Sequence, residues 1–319
     1  MQHPQWARNR MTMMFPSTFN SELRLAPFLP RTVVSPRTVG LIRRLLKVIG
    51  RTPPRGGETV NVNADVSVRV FRPKSTHQPA PALLWIHGGG YLIGNAAMGD
   101  RLCRHVATHL GVMAVSVEYR LAPDYPFPTP LEDCYKALRW LAEQSEIDPS
   151  RIAIGGESAG GGLAASLALL AKERGAIRPV LQVLSYPMLD DRTTARQDLD
   201  ESRLRMWNQN SNRLGWRSYL GAVADVDVSP LASPARYKDL SGLPPAWIGV
   251  GTNDLFYDEN IAYTTRLRDA GVTCTLHQVP GAYHGFDLVE RKTPIARAFL
   301  QSQMTALDAA LTNEGPTST

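Results

Sequence analysis

The chain of 319 residues is 43% apolar and 20% charged, which excludes a disordered or collagen-like polymer and fits a soluble globular protein. Its formal net charge of +6 raises nucleic acid or an anionic membrane as partners, but the basic residues are mostly scattered arginines with one small cluster, Arg43, Arg44 and Lys47, and read as solvated surface. Cys103, Cys134 and Cys274 are odd in number and lack metal-ligand spacing, so neither a disulfide framework nor a zinc site is expected.

The first periodic stretch spans residues 37–49. Leu41, Ile42, Leu45, Leu46, Val48 and Ile49 recur at helical spacing, predicting an amphipathic helix with Arg43, Arg44 and Lys47 on the opposite face, for which a membrane-surface anchor is the rival to a role in covering the core. Residues 59–73 alternate in short runs through Val60, Val62, Val66, Val68 and Val70, as antiparallel leading strands do. The apolar run 81–86 predicts a buried parallel strand and ends in His87-Gly88-Gly89-Gly90-Tyr91. Three consecutive glycines cost backbone entropy and add no packing, so they belong where backbone must approach something closely. A helix over 101–110 and a strand over 112–117 follow.

The next strand, 151–155, leads into Gly156-Glu157-Ser158-Ala159-Gly160 and then a long Ala/Leu helix starting near Gly161. That strand–turn–helix setting is the one a G-x-S-x-G nucleophile elbow requires. The turn is sharp enough that a Cβ at either flank would strike neighbouring backbone, and it sets the Ser158 hydroxyl at a helix N-terminus, where developing negative charge is favoured. Amide N–H groups must sit about 3 Å from an oxygen that acquires charge. The expected oxyanion donors are Gly88, Gly89 and, directly after the serine, Ala159.

Strand 180–186 precedes Asp190 and Asp191, read as loop residues near the site. Residues 198–219 are polar but studded with Leu204, Met206, Trp207, Leu214, Trp216 and Tyr219. Strand 246–250 is followed by Thr252-Asn253-Asp254-Leu255, and then by Asp258 and Glu259 in the first turn of a helix running to about Ala270. Strand 274–279 precedes the loop Pro280-Gly281-Ala282-Tyr283 and His284. Residues 312–319 form a polar tail expected to be disordered.

A serine hydroxyl needs a base, and the base needs an orienting acid. Of seven histidines, His3 lies in the N-terminal tail, His77 in a polar loop, and His105 and His109 on a surface helix; His87 belongs to the glycine motif and His277 to a strand face. His284 follows Pro280-Gly281-Ala282-Tyr283 in a loop just past a strand's C-terminal end, where open α/β sheets bind ligands, and is the expected base. Asp254 is placed likewise and is preferred to Asp258 and Glu259, which read as ordinary first-turn acids complementing the helix dipole.

These residues resemble the hormone-sensitive-lipase-like branch of the α/β-hydrolases over residues 65–300. The motifs are His87-Gly88-Gly89-Gly90; Tyr119-Arg120-Leu121-Ala122-Pro123 through Pro126-Phe127-Pro128; Gly156-Glu157-Ser158-Ala159-Gly160-Gly161; Asp254 with Asp258-Glu259; and His284-Gly285-Phe286. The family's acid motif usually reads Asp-Pro-Leu-x-Asp-Glu, whereas here Leu255 follows Asp254. Glu157 stands where many relatives carry Asp or Thr, and reads as a tuning or loop-bracing residue.

The resemblance implies an α/β-hydrolase fold: a mostly parallel sheet flanked by helices, with residues 1–50 and 191–222 as a helical cap over a catalytic core of 51–190 and 223–319. It implies a serine carboxylesterase for short- to medium-chain acyl esters, acting through Ser158, His284 and Asp254. Tyr91, Met206, Trp207, Trp216, Leu255 and Phe286 are the candidate pocket residues.

Alternatives stay open: a deacetylase or amidase of acylated small molecules, or a ligand-binding protein on the same fold. A dinucleotide fingerprint at Gly160-Gly161-Gly162-Leu163-Ala164-Ala165 lacks its acidic partner about 20 residues on, where Gln182-Val183-Leu184 stand, and no P-loop Gly-Lys-Ser/Thr follows. No cofactor or metal is expected. The expected partner is a small-molecule ester, without nucleic acid or stable membrane insertion, and a homodimer stays open. The chain begins without the apolar core of a secretion signal and has no run of membrane-span length, so cytoplasmic residence follows by default.

Overall fold

Three strand stretches that read as apolar runs are buried along their length, because the sheet is covered on both faces. In the computed structural model, which describes residues 19–74, 79–223 and 227–311, the eight strands are β1 (Glu58–Asn61), β2 (Ser67–Phe71), β3 (Ala80–Ile86), β4 (Met113–Glu118), β5 (Ile147–Glu157), β6 (Leu181–Ser185), β7 (Ala246–Asn253) and β8 (Cys274–Tyr283). Their spatial order is β1-β2-β4-β3-β5-β6-β7-β8. The β1–β2 and β2–β4 pairs are antiparallel and the remaining pairs parallel. β3 and β6 are buried at every position, and β4 at all but its last.

Alternation along β3 divides the core. Ala82, Leu84 and Ile86 join one hydrophobic cluster with residues of α3 (Thr129–Ala142), α4 (Ala159–Arg174) and α6 (Tyr257–Asp269). Leu83 and Trp85 join the other, with residues of α2 (Asp100–Leu110) and α8 (Pro294–Leu311). The remaining helices are α1 (Val39–Gly50), α5 (Gln209–Leu220) and the short α7 (Phe286–Val289).

Three boundaries differ from the sequence reading. β5 starts at Ile147, because a register shift on β3 lets Ala80 pair with Ile147. β8 runs through 280–283, expected as a loop: after a shift between Gly251 and Asn253, Asn253 pairs with Tyr283. Pro280 is tolerated there because β8 is an edge strand. α4 starts at Ala159 rather than near Gly161.

α1 also differs in its facing. Arg43, expected outward, points inward, donating from Nε to the Leu92 carbonyl at 2.7 Å and from Nη1 to Asp124 at 2.8 Å. Leu41, Leu45, Val48 and Ile49 are instead exposed. The loop carbonyls supply a cation site that periodicity alone could not register.

The segments expected to cover the core touch one another. Met206 N–H donates to the Pro30 carbonyl at 2.8 Å, Asn208 Nδ2 to Thr32 Oγ1 at 2.7 Å and Ser211 Oγ to the Val34 carbonyl at 2.6 Å. Residues 19–29 reach the sheet's end as well: Asn20 N–H bonds Gly281 O and Leu25 N–H bonds the Glu290 carboxylate. Residues 1–18 and 312–319, including His3 and the polar tail, and the His77 loop lie outside the described residues.

Candidate active site

Ser158 occupies the one-residue hinge between β5 and α4, with φ 56° and ψ −121°. A non-glycine residue at positive φ is strained, and it persists here because its neighbours hold it on both sides. Its N–H donates to Ser185 O at 2.9 Å, and its carbonyl accepts from Gly162 and Met188 N–H, each at 3.0 Å. A Cβ on Gly160 would run into the Ile86 and His87 carbonyl oxygens, so only glycine lets the start of α4 lie against the end of β3. The same contact brings the glycine triplet to the serine. A Cβ on Gly88 would lie 2.9 Å from the Glu157 carbonyl oxygen and 3.2 Å from Ser158 Cβ.

His284, the residue after β8, places Nε2 2.9 Å from Ser158 Oγ and Nδ1 2.8 Å from Asp254 Oδ2. Asp254 follows β7, and its Oδ1 accepts the Phe256 N–H at 2.9 Å, which fixes the carboxylate's rotation. All three side chains are buried. The imidazole is walled by Tyr186, edge-on at 4.9 Å, Phe256, edge-on at 5.3 Å, and Trp207 at 6.4 Å between ring centres. The three residues thus come from the C-terminal ends of three strands and form one hydrogen-bonded line.

The rival acids have other partners. Asp258 pairs with Arg196, Asp190 with Arg192 and Asp191 with Arg236. Glu259 stands in the first turn of α6, as expected, but it is also buried, accepts the Leu189 and Asp190 N–H groups and the Thr193 hydroxyl, and so pins the segment after β6 to α6. Burial and the Asp190 charge hold its carboxyl well above the usual carboxylate range. His105 and His109 sit on α2, and His277 lies on β8 against Trp247 and Phe299.

Beside Ser158, the glycine loop rests on two buried titratable groups. Burial pushes His87 down to about 4, so its ring is neutral, with Nδ1–H donating to the Gly88 carbonyl at 2.8 Å. Its ring stacks on Tyr119 at 4.3 Å, and the Tyr119 hydroxyl donates to the His87 carbonyl at 2.9 Å. Burial, and then the charge of Asp287, push Glu157 up to about 8. Burial likewise raises Asp287 to about 6, against a 2.9 Å hydrogen bond from the Tyr186 hydroxyl.

The Gly88 amide lies close enough to the Glu157 carboxyl to favour its charged form, opposing the effect of burial. Among the described residues, the N–H groups of Gly88, Gly89, Gly90 and Ala159 donate to no protein acceptor. Neither a metal-binding group of His, Cys, Asp and Glu nor a helix long and apolar enough to cross a membrane occurs among the described residues. The three cysteines are free and buried.

The expected pocket residues divide. Trp207 lies over the glycine loop, so close that Gly90 has no room for a Cβ against its ring, and it also flanks His284. Leu255 is buried between Asp254 and Phe256. Met206, at φ 68°, is partly buried. Tyr91 stacks on Tyr219 at 3.9 Å and meets Trp216 at 5.6 Å, a fully buried aromatic group behind the loop. Phe286 packs edge-on against Phe299 in the opposite core cluster. Sequence reasoning overlooked Tyr186 and Asp287; the signal for the first was its place directly after an apolar strand, and for the second only its spacing of three from His284.

Comparison with known proteins gives consistent results. A family described as alpha/beta hydrolase fold matches residues 83–288. The chain is 34% identical over 261 residues to carboxylesterase NlhH of Mycobacterium tuberculosis, covering 77% of this chain and 79% of the relative. It is 37% identical over 227 residues to an ethyl acetate hydrolase of Pseudomonas putida, covering 69% and 70%. Among solved structures, a bacterial heroin esterase superposes with a TM-score of 0.82 at 37% identity, over 92% of this chain and 98% of that one.

Proposed function

Because the chain belongs to the α/β-hydrolase fold family, in its hormone-sensitive-lipase-like branch, we propose that it is a serine carboxylesterase that works through an acyl-enzyme on Ser158. The observation that carries this reading is the unbroken line from Ser158 Oγ through His284 to Asp254, at 2.9 and 2.8 Å. Relatives named carboxylesterase and ethyl acetate hydrolase support the reaction class.

Ser158 Oγ attacks the ester carbonyl as His284 Nε2 takes its proton, and Asp254 stabilises the imidazolium through Nδ1–H. The carbonyl oxygen becomes an oxyanion held by the N–H groups of Gly88, Gly89 and Ala159. His284 then gives the proton to the departing alcohol, leaving the acyl-enzyme. Water, deprotonated by the same imidazole, attacks that ester, and His284 returns the proton to Ser158 Oγ as the Oγ–acyl bond breaks and the acid leaves. His87 and Glu157 act by holding the glycine loop rather than by moving protons.

Short to medium acyl groups fit best, since Trp207 sits on the glycine loop and the Tyr91–Trp216–Tyr219 group fills the space behind it. The cap read from residues 1–50 and 191–222 would exclude water from the three residues.

A p-nitrophenyl ester series from acetate to palmitate, followed by labelling with a serine-directed phosphonate, tests this reading. Turnover that falls with chain length and a label on Ser158 are expected. No turnover and no label would leave a ligand-binding protein.

A further inference from the structure

The positive surplus of this protein is confined to one short stretch. Between Leu23 and Gly57 the sequence has eight Lys or Arg residues and no Asp or Glu, so the rest of the chain contributes −2 to the formal +6. At the centre of that stretch is α1, which has no buried residue. Its inner face carries Ile42, Leu46 and the loop-bound Arg43. At ~100° per residue, Leu41, Leu45, Val48 and Ile49 fall into a single outward stripe. They are 63%, 57%, 65% and 53% exposed, and the exposed Arg44, Lys47 and Arg51 run along one side of the stripe.

Single exposed apolar side chains need no explanation, but four aligned on a twelve-residue helix do. We infer that α1 is a docking face for an anionic lipid surface, lying in the headgroup plane with its leucine and valine stripe among the acyl chains and its cations on the headgroups. This is peripheral binding, distinct from a membrane span.

Charge selects this occupant over others. A second copy of the ridge would set cations against cations. Residues 1–18 carry Arg8 and Arg10 and no acid, so they offer no complement either. Nucleic acid would satisfy the cations and leave four apolar side chains in water. The inner face also ties α1 to the loop after the glycine triplet, through Arg43 to Leu92 O and through Asn95 Nδ2 to Leu46 O at 2.5 Å. Docking would therefore turn the glycine-loop side of the molecule toward the lipid.

The test is co-sedimentation of the full chain with phosphatidylcholine vesicles, with and without phosphatidylglycerol. Binding is expected only to the anionic vesicles and should weaken as salt rises. Leu45→Ser with Val48→Ser, and separately Arg44→Glu with Lys47→Glu, should each weaken it by at least about tenfold, with thermal midpoints unchanged. A full chain carrying Val48→Cys labelled with an environment-sensitive dye should report water until anionic vesicles are added. Absence of binding, binding indifferent to both double variants, binding to duplex DNA without binding to vesicles, or an apolar dye signal in the free monomer or a dimer would each overturn the inference.

Discussion

Helices α4 and α1 are both rich in apolar residues, yet α4 is buried from Ala159 through Ala171 while α1 buries none. The difference lies in side-chain size and in what each helix must approach. α4 opens on Ala159-Gly160-Gly161-Gly162, and these residues let it press against the carbonyls at the end of β3 and the Pro187–Met188 backbone. Its apolar surface is continuous around the axis, so it can only be a central helix. α1 has long side chains on every face and an arginine on the inner one, so it rests on loops and leaves half its apolar surface outside. Apolar content alone therefore does not decide burial; the closeness that small residues permit does.

Substitutions can separate the two helices. The largest effect belongs to Ser158→Ala, which should lower p-nitrophenyl acetate turnover by about 10⁶-fold with an unchanged melting temperature. Residual turnover near the native level would move the chemistry away from the start of α4. Asp254→Asn should cost about 10⁴-fold in kcat by favouring the wrong imidazole tautomer. Full activity there would shift the orienting role elsewhere, although Asp258 already serves Arg196.

Gly160→Ala should cost about 3 kcal/mol in denaturant unfolding, because its methyl meets backbone rather than a side chain that can swing away. A cost below about 1 kcal/mol would show that β3 can retreat and that close approach is not what buries α4.

A smaller, pH-dependent effect sits beside the same helix. Glu157 is raised to about 8 in the folded protein from an ordinary carboxyl value of 4.5. A raised acid stabilises the fold in its neutral form, so this contribution is complete below about 4.5 and is lost as pH rises toward about 8. Thermal unfolding between those limits should show a falling component with a slope of up to about 1.4 kcal/mol per pH unit, and Glu157→Gln should flatten it. An unchanged slope in that variant would assign the pH dependence to Asp287. The smallest effect belongs to α1: Leu45→Ser and Val48→Ser should each change stability by less than about 0.5 kcal/mol. A larger loss in chemical denaturation would mean that the stripe is packed after all.

Much of the sheet could be read directly from the residues. Parallel strands covered on both faces must be apolar throughout, so runs such as 81–86 and 180–186 announced β3 and β6. Glycines around Ser158 and after Ile86 marked two places where backbone approaches backbone. What failed were features set by a partner distant in sequence. The extension of β8 through Pro280 depends on Asn253, the inward turn of Arg43 on the Leu92 and Ala122 carbonyls, and the burial of Glu259 on the backbone of Leu189 and Asp190.

By itself, the sequence determined the class of fold and the chain order of Ser158, Asp254 and His284, because strand burial and sharp turns impose residue types locally. Only the tertiary structure decided that these three meet within hydrogen-bond distance, that Trp207 stands over the glycine loop, and which face of α1 looks outward. Those outcomes depend on contacts between residues far apart in the chain, and periodicity carries no record of them.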